Sequence, residues 1–119
     1  MYKPFHLIGL ELNMSILSAA LLGQPTGATQ QFKGDVVATA KTALRAGQVL
    51  DGEGGYTVWG KLCPAVRSVA EDLLPIGLAH HVQLKKDIPA GQVISWSDVK
   101  INKDELATQL RLAQQKKLG

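Results

Sequence analysis

Lys3, His6 and Glu11 are the side chains whose types could do chemistry near the N-terminus. An imidazole and a carboxylate are groups that move protons near neutral pH, and an ammonium supplies positive charge. These three are the candidate catalytic residues of the chain. Their spacing limits what they can do together. His6 and Glu11 lie five positions apart, so on a helix they occupy partly different faces. Glu11 also sits inside an apolar run, where a charge is costly unless it is paired or at an interface. Two readings follow. With Tyr2, these residues line the edge of an active site, or they cap and satisfy a helix at a domain boundary; the second is the simpler.

Other reactive types are sparse. His80 and His81 are adjacent on an expected strand, so they should point to opposite faces, one buried and one exposed, and could not chelate one metal together. Cys63 is the single cysteine, which excludes an internal disulfide and leaves no metal quartet. Beside Pro64 in an apolar stretch, it reads as a small packed residue. "DGEGGY" (51–56) is glycine-rich, but no strand–loop–helix pattern frames it, so it reads as a turn rather than a phosphate cradle. No nucleophile motif is present. Neither a metal site nor a cofactor site is expected in this chain.

The elements that must hold these residues come next. The 119 residues suffice for one domain with a modest core. Apolar residues make up 45%, charged residues 19%, and the net charge is +3. The basic residues are scattered without interleaved aromatics, so nucleic-acid binding is unsupported. The opening stretch has the outline of a secretory signal, with one early lysine, an apolar run and small residues. Glu11 and Asn13 in its middle argue against export, and with His6 they also argue against a membrane span. A cytoplasmic protein without membrane contact is the expectation.

Residues 5–22 read as a helix. Glu11, Ser15 and Ser18 make one narrow polar stripe, and apolar side chains cover nearly all the rest. Such a helix wants neighbours on most sides. Breakers from Gly23 to Gly27 end it, and 28–34 reads as a linker. At the other end, "INKDELATQLRLAQQKKLG" (101–119) reads as an amphipathic helix. Asn102 and Glu105 form a capping-box-like start, and Leu106, Leu110, Ala113 and Leu118 form a stripe expected to dock on the domain.

Between them lies a repeat. "KTALRAGQVL" (41–50) matches "KKDIPAGQVI" (85–94) in Lys, Ala, Gly, Gln and Val, with Leu/Ile pairs at two more places. A β-like run precedes each copy. Pro89 is expected at the second place of a four-residue turn and Gly91 at the fourth. After the second copy, "SWSD" has a helix-start signature from Ser95 to Asp98. Two strand–turn–strand copies suggest a small pseudo-symmetric β domain.

"KKDIPAGQVISWSDVKI" (85–101) resembles the SAF domain, a β-clip module shared by sialic acid synthases, type III antifreeze proteins, altronate dehydratases and flagellar and pilus assembly proteins. Lys86, Asp87, Ile88, Pro89, Ala90, Gly91, Ser97, Asp98 and Val99 match its signature. Five blocks in order, from "YKPFHLIGLE" (2–11) to "LPIGLAHHVQLKKDIPAGQVISWSDV" (74–99), resemble the C-terminal part of bacterial NAD(P)-dependent oxidoreductases of the homoserine-dehydrogenase-like or deoxyxylulose-phosphate-reductoisomerase-like kind. Members of that family carry a Rossmann domain and a catalytic domain ahead of the SAF module. The resemblance implies NAD(P) for the parent enzyme and none for this chain, which then reads as a fragment, a truncated product or an isolated piece.

The expected architecture is α+β, mainly β. An apolar helix (1–27) resembles the end of a catalytic domain, and a linker (28–34) leads to a SAF domain (35–100) and a C-terminal helix (101–119). The expected function is a structural or substrate-gating module. The expected partners are the missing catalytic and Rossmann domains, or a second copy meeting the first through the N-terminal helix. The alternative is a stand-alone binding or assembly module of the flagellar or pilus type. Ice binding rests on SAF resemblance alone.

Overall fold

The computed structural model describes residues 4–5, 7–28 and 30–117. The chain forms two units, Met1–Gln31 and Phe32–Gly119.

In the first unit, α1 (Ile8–Leu17) continues into a π-helical turn, Ser18–Leu22. The helix starts three residues later than the apolar run suggested, and Leu7 at its cap makes no side-chain capping bond. Gly23 stops it at φ +62°, a conformation open to glycine. The polar stripe folds the tail back: the Ser18 hydroxyl donates to the Gln24 carbonyl at 2.8 Å, and the Ser15 and Thr26 hydroxyls lie 3.1 Å apart. Neither helical segment buries a residue, and Ile8, Leu10, Met14, Leu21 and Leu22 are all exposed. Among the described residues, no helix is long and apolar enough to cross a membrane.

The second unit has two antiparallel sheets. β1 (Gly34–Ala40) pairs with β3 (Val58–Pro64), and β4 (His80–Leu84) lies between β2 (Val49–Asp51) and β5 (Val99–Lys100). A short helix α2 (Ala65–Ala70) follows β3, and α3 (Leu106–Lys116) closes the chain. With α1, the described residues form an α+β protein with two antiparallel sheets and three α-helices.

The repeated phrase organises this unit. Gln48 N–H donates to the Arg45 carbonyl and Gln92 N–H to the Pro89 carbonyl, so each copy closes one tight turn. Gly47 (φ +84°) and Gly91 (φ +78°) take the third place, as a type II turn requires. This corrects the expected numbering, since Pro89 is the first residue of its turn rather than the second. Hydrogen bonds then repeat at an offset of 44. Gly47 N–H donates to Leu84 O (2.9 Å) and Gly91 N–H to Ala40 O (2.8 Å). Leu84 N–H donates to Gln48 O and Ala40 N–H to Gln92 O, each at 2.9 Å. The two copies are thus related by a local two-fold. The main core contains the same pairs: Ala38 with Val82, Ala40 with Leu84, Leu44 with Ile88, and Leu50 with Ile94. Each fully buried Leu or Ile contributes about 1.5–3 kcal/mol of hydrophobic stabilisation.

α3 departs from expectation both in its start and in its facing. It begins at Leu106, and its cap residue Glu105 makes no side-chain capping bond; Asn102 instead accepts from Asp104 N–H in a separate turn. Its inward side chains are Thr108, fully buried, with Arg111, Leu112 and Gln115 half-buried, whereas Leu106, Leu110 and Ala113 are exposed. The leucine stripe therefore faces away from the domain, and Leu118 lies outside the described residues. The reason is ionic. Arg111 reaches a buried carboxylate, and that contact sets the rotation of the helix.

Candidate functional site

Lys3 and His6 lie outside the described residues. Glu11 is half-buried in the first turn of α1. The candidate set is therefore not assembled into a geometry within the described residues.

The histidine pair is placed differently from a regular strand. His81 adopts φ +55°, both rings are exposed, and their centroids are 6.2 Å apart at a tilt of 55°. The positive φ breaks the alternation that would have sent them to opposite faces. His80 holds the neighbouring loop. Its Nε2 accepts from Glu53 N–H at 3.2 Å, and its ring lies where a Cβ on Gly52 would come within 2.4 Å. The ring thus clamps the glycine-rich loop. Among the described residues, no three His, Cys, Asp or Glu side chains are grouped to hold a metal.

That loop and its counterpart close in the same reciprocal manner with the residue types exchanged. In the first copy, Asp51 N–H donates to the Thr57 hydroxyl at 3.1 Å, while Tyr56 and Thr57 N–H donate to the Asp51 carboxylate at 2.6 and 3.0 Å. In the second, Ser95 N–H donates to the Asp98 carboxylate at 2.9 Å, and Asp98 N–H returns the bond to the Ser95 hydroxyl. The Thr57 hydroxyl, then the Tyr56 and Thr57 amides, hold the Asp51 carboxyl down to about 2. Burial acts to raise the Asp98 carboxyl, but the Lys86 ammonium at 2.7 Å and the Ser95 donors together bring it below its ordinary value. The Tyr56 and Thr57 amides of the 51–57 loop are thus already bound to the Asp51 carboxylate, and the Glu53 amide to His80.

A third polar cluster anchors α3. Arg111 grips Asp35 at the start of β1 with two guanidinium nitrogens, one at 3.2 Å, and both side chains are at most 10% exposed. Ser68 on α2 also donates to Asp35, and the Phe32 ring lies 4.6 Å from the guanidinium carbon. Burial pushes the Asp35 carboxyl up, and the bonds from Arg111, Ser68 and Val36 N–H outweigh it, so the net direction is down. Burial and the Asp35 charge push the Cys63 thiol up, which disfavours its thiolate. Sequence reading missed this cluster because Asp35 and Arg111 stand 76 positions apart and each resembles an ordinary surface charge.

In all three clusters the hydrogen bonds end on other members of the cluster. They lock loops and a helix, and none presents an activated nucleophile. No family model matches the chain, and no curated protein matches it either.

Proposed function

We propose that this chain is a SAF-type β-clip module that works beside the nucleotide-binding and catalytic domains of an NAD(P)-dependent oxidoreductase of the homoserine-dehydrogenase-like or reductoisomerase-like kind. In that role it is a structural or substrate-gating element in the cytoplasm and does not itself hold the nicotinamide. The observation that carries the reading is the pair of Ala-Gly turns related by a local two-fold, built on the residues that resemble the SAF signature. Two further features support it. The Asp51 carboxylate occupies the Tyr56 and Thr57 amides of the glycine-rich loop, and α1 presents apolar side chains on most of its circumference within its own unit.

Two measurements test it. Calorimetric titration of the chain with NADPH is expected to give no binding heat; micromolar affinity would overturn the module reading. An oxidoreductase of this kind, trimmed of its own C-terminal module, is expected to bind the chain, and Leu10→Asp with Leu17→Asp should abolish that binding. Absence of any complex would remove the oxidoreductase assignment.

A further inference from the structure

The local two-fold is broken in one place, and a cleft opens there. The first copy needs three more residues than the second between its turn strand and the next one, as Leu50 and Val58 correspond to Ile94 and Val99. The longer loop folds over Lys41, whose ammonium donates to the Gly55 carbonyl. Lys85 is the equivalent of Lys41, 44 positions on, and its ammonium has no acceptor among the described residues. Beside it lies a cleft of about 500 Å³, within the range that holds a small organic molecule.

The chemistry of its lining is one-sided. Lys85, Lys100 and Lys103 bring three positive charges, and Asp72 is the one carboxylate among the described residues that line it. Lys100 is engaged only by a neutral group, the Gln83 amide oxygen at 2.9 Å. The nearby Asp98 carboxylate is already held by Lys86 and does not line the cleft. Trp96 and Leu112 supply apolar surface. Trp96 is 9% exposed, and its indole N–H is fully buried with no acceptor among the described residues. A buried indole N–H ordinarily finds a partner, and this one lies behind the surface that Trp96 gives to the cleft. The wall is held in place by strained backbone: Asp72 sits at φ +53°, and its carbonyl accepts the backbone amide N–H of Trp96 at 2.9 Å.

We infer that this cleft binds a small molecule carrying an oxyanion, phosphate or carboxylate, on a compact apolar or aromatic body. Lys85 and Lys103 meet the anion, and Trp96 and Leu112 receive the body. The inference is independent of the oxidoreductase reading, because it uses no residue of the first unit and no nucleotide.

Nitrogen-15 spectra of the full chain test it through the indole N–H resonances of Trp59 and Trp96. The probes are phenyl phosphate and benzoate as the two oxyanion sources, with phenol and inorganic phosphate as half-ligands. A saturable shift of the Trp96 resonance is expected with at least one oxyanion probe, with Trp59 unmoved and both half-ligands about tenfold weaker or worse. Phenyl phosphate alone would identify a phosphoryl ligand, benzoate alone a carboxylate. Lys85→Gln with Lys103→Gln should lower affinity about tenfold with the rest of the spectrum preserved, and high salt should weaken binding to the unaltered chain. No saturable shift of Trp96, equal binding of phenol, or indifference to both the lysine changes and salt would overturn the proposal.

Discussion

Leu44 and Ile88 exchange both backbone hydrogen bonds, Leu44 N–H to Ile88 O at 2.8 Å and Ile88 N–H to Leu44 O at 2.9 Å. They are equivalent residues of the two copies, so the local two-fold passes between them. Both side chains are buried in the main core. The repeat is therefore more than two similar turns: each copy completes the hydrogen bonding of the other.

From this symmetry, Gly47→Val and Gly91→Val should be equally harmful. A new Cβ meets open space at Gly91, and its nearest neighbour at Gly47 is the Gln83 amide at 3.9 Å. The cost is then backbone strain at positive φ, about 1–3 kcal/mol for each change. Urea denaturation of both variants checks this, and unchanged stability in either would mean that the copies are not equivalent.

Arg111→Met should destabilise the domain by about 3 kcal/mol, because it leaves the Asp35 carboxylate buried with only Ser68 and Val36 N–H as partners. Adding Asp35→Asn should recover part of the loss. By contrast, Leu106→Gln and Leu110→Gln on the exposed face of α3 should each change stability by less than about 0.5 kcal/mol. Thermal melts of the four variants decide whether charge or the leucine stripe holds the helix.

Stability should fall on acidification. Asp35, Asp51 and Asp98 all have folded values below the ordinary carboxyl value, Asp51 at about 2. A carboxyl that is more acidic when folded adds stability above its unfolded value and loses it as pH falls toward its folded value. The expected window runs from about pH 4 downward to about pH 2. Unfolding free energy measured at steps across that window should decline, and less steeply in Asp35→Asn. A flat profile would contradict the three locks.

The first unit should promote association. Its exposed apolar residues exceed what a lone helix normally leaves in water, and each one re-buried contributes about 1.5–3 kcal/mol. Sedimentation velocity should show the full chain self-associating, and deletion of residues 1–27 should leave a folded and more monomeric domain. A monomeric full chain with α1 strongly protected from hydrogen exchange, or a trimmed chain that unfolds, would show that α1 belongs to the core of its own protein.

Much of the second unit is readable in local sequence. Two Ala-Gly phrases with preceding β-like runs announce the turns, because a tight turn is decided by a few consecutive residues and by glycine's freedom at positive φ. Ser95 and Asp98 announce their short helical turn for the same short-range reason. The apolar circumference of α1 is equally plain from spacing. Other features needed the tertiary structure. Periodicity shows that α3 has a leucine stripe, but only the reach of Arg111 to Asp35 decides that Thr108 turns inward and the stripe outward. His81 leaves strand geometry at φ +55°, which its side-chain type does not signal. The cleft at Lys85 exists because one loop is three residues shorter than its symmetric partner, and only the folded chain sets those loops side by side for comparison. Local rules act over a turn of chain, whereas ion pairs, helix rotation and clefts depend on groups that only folding brings together.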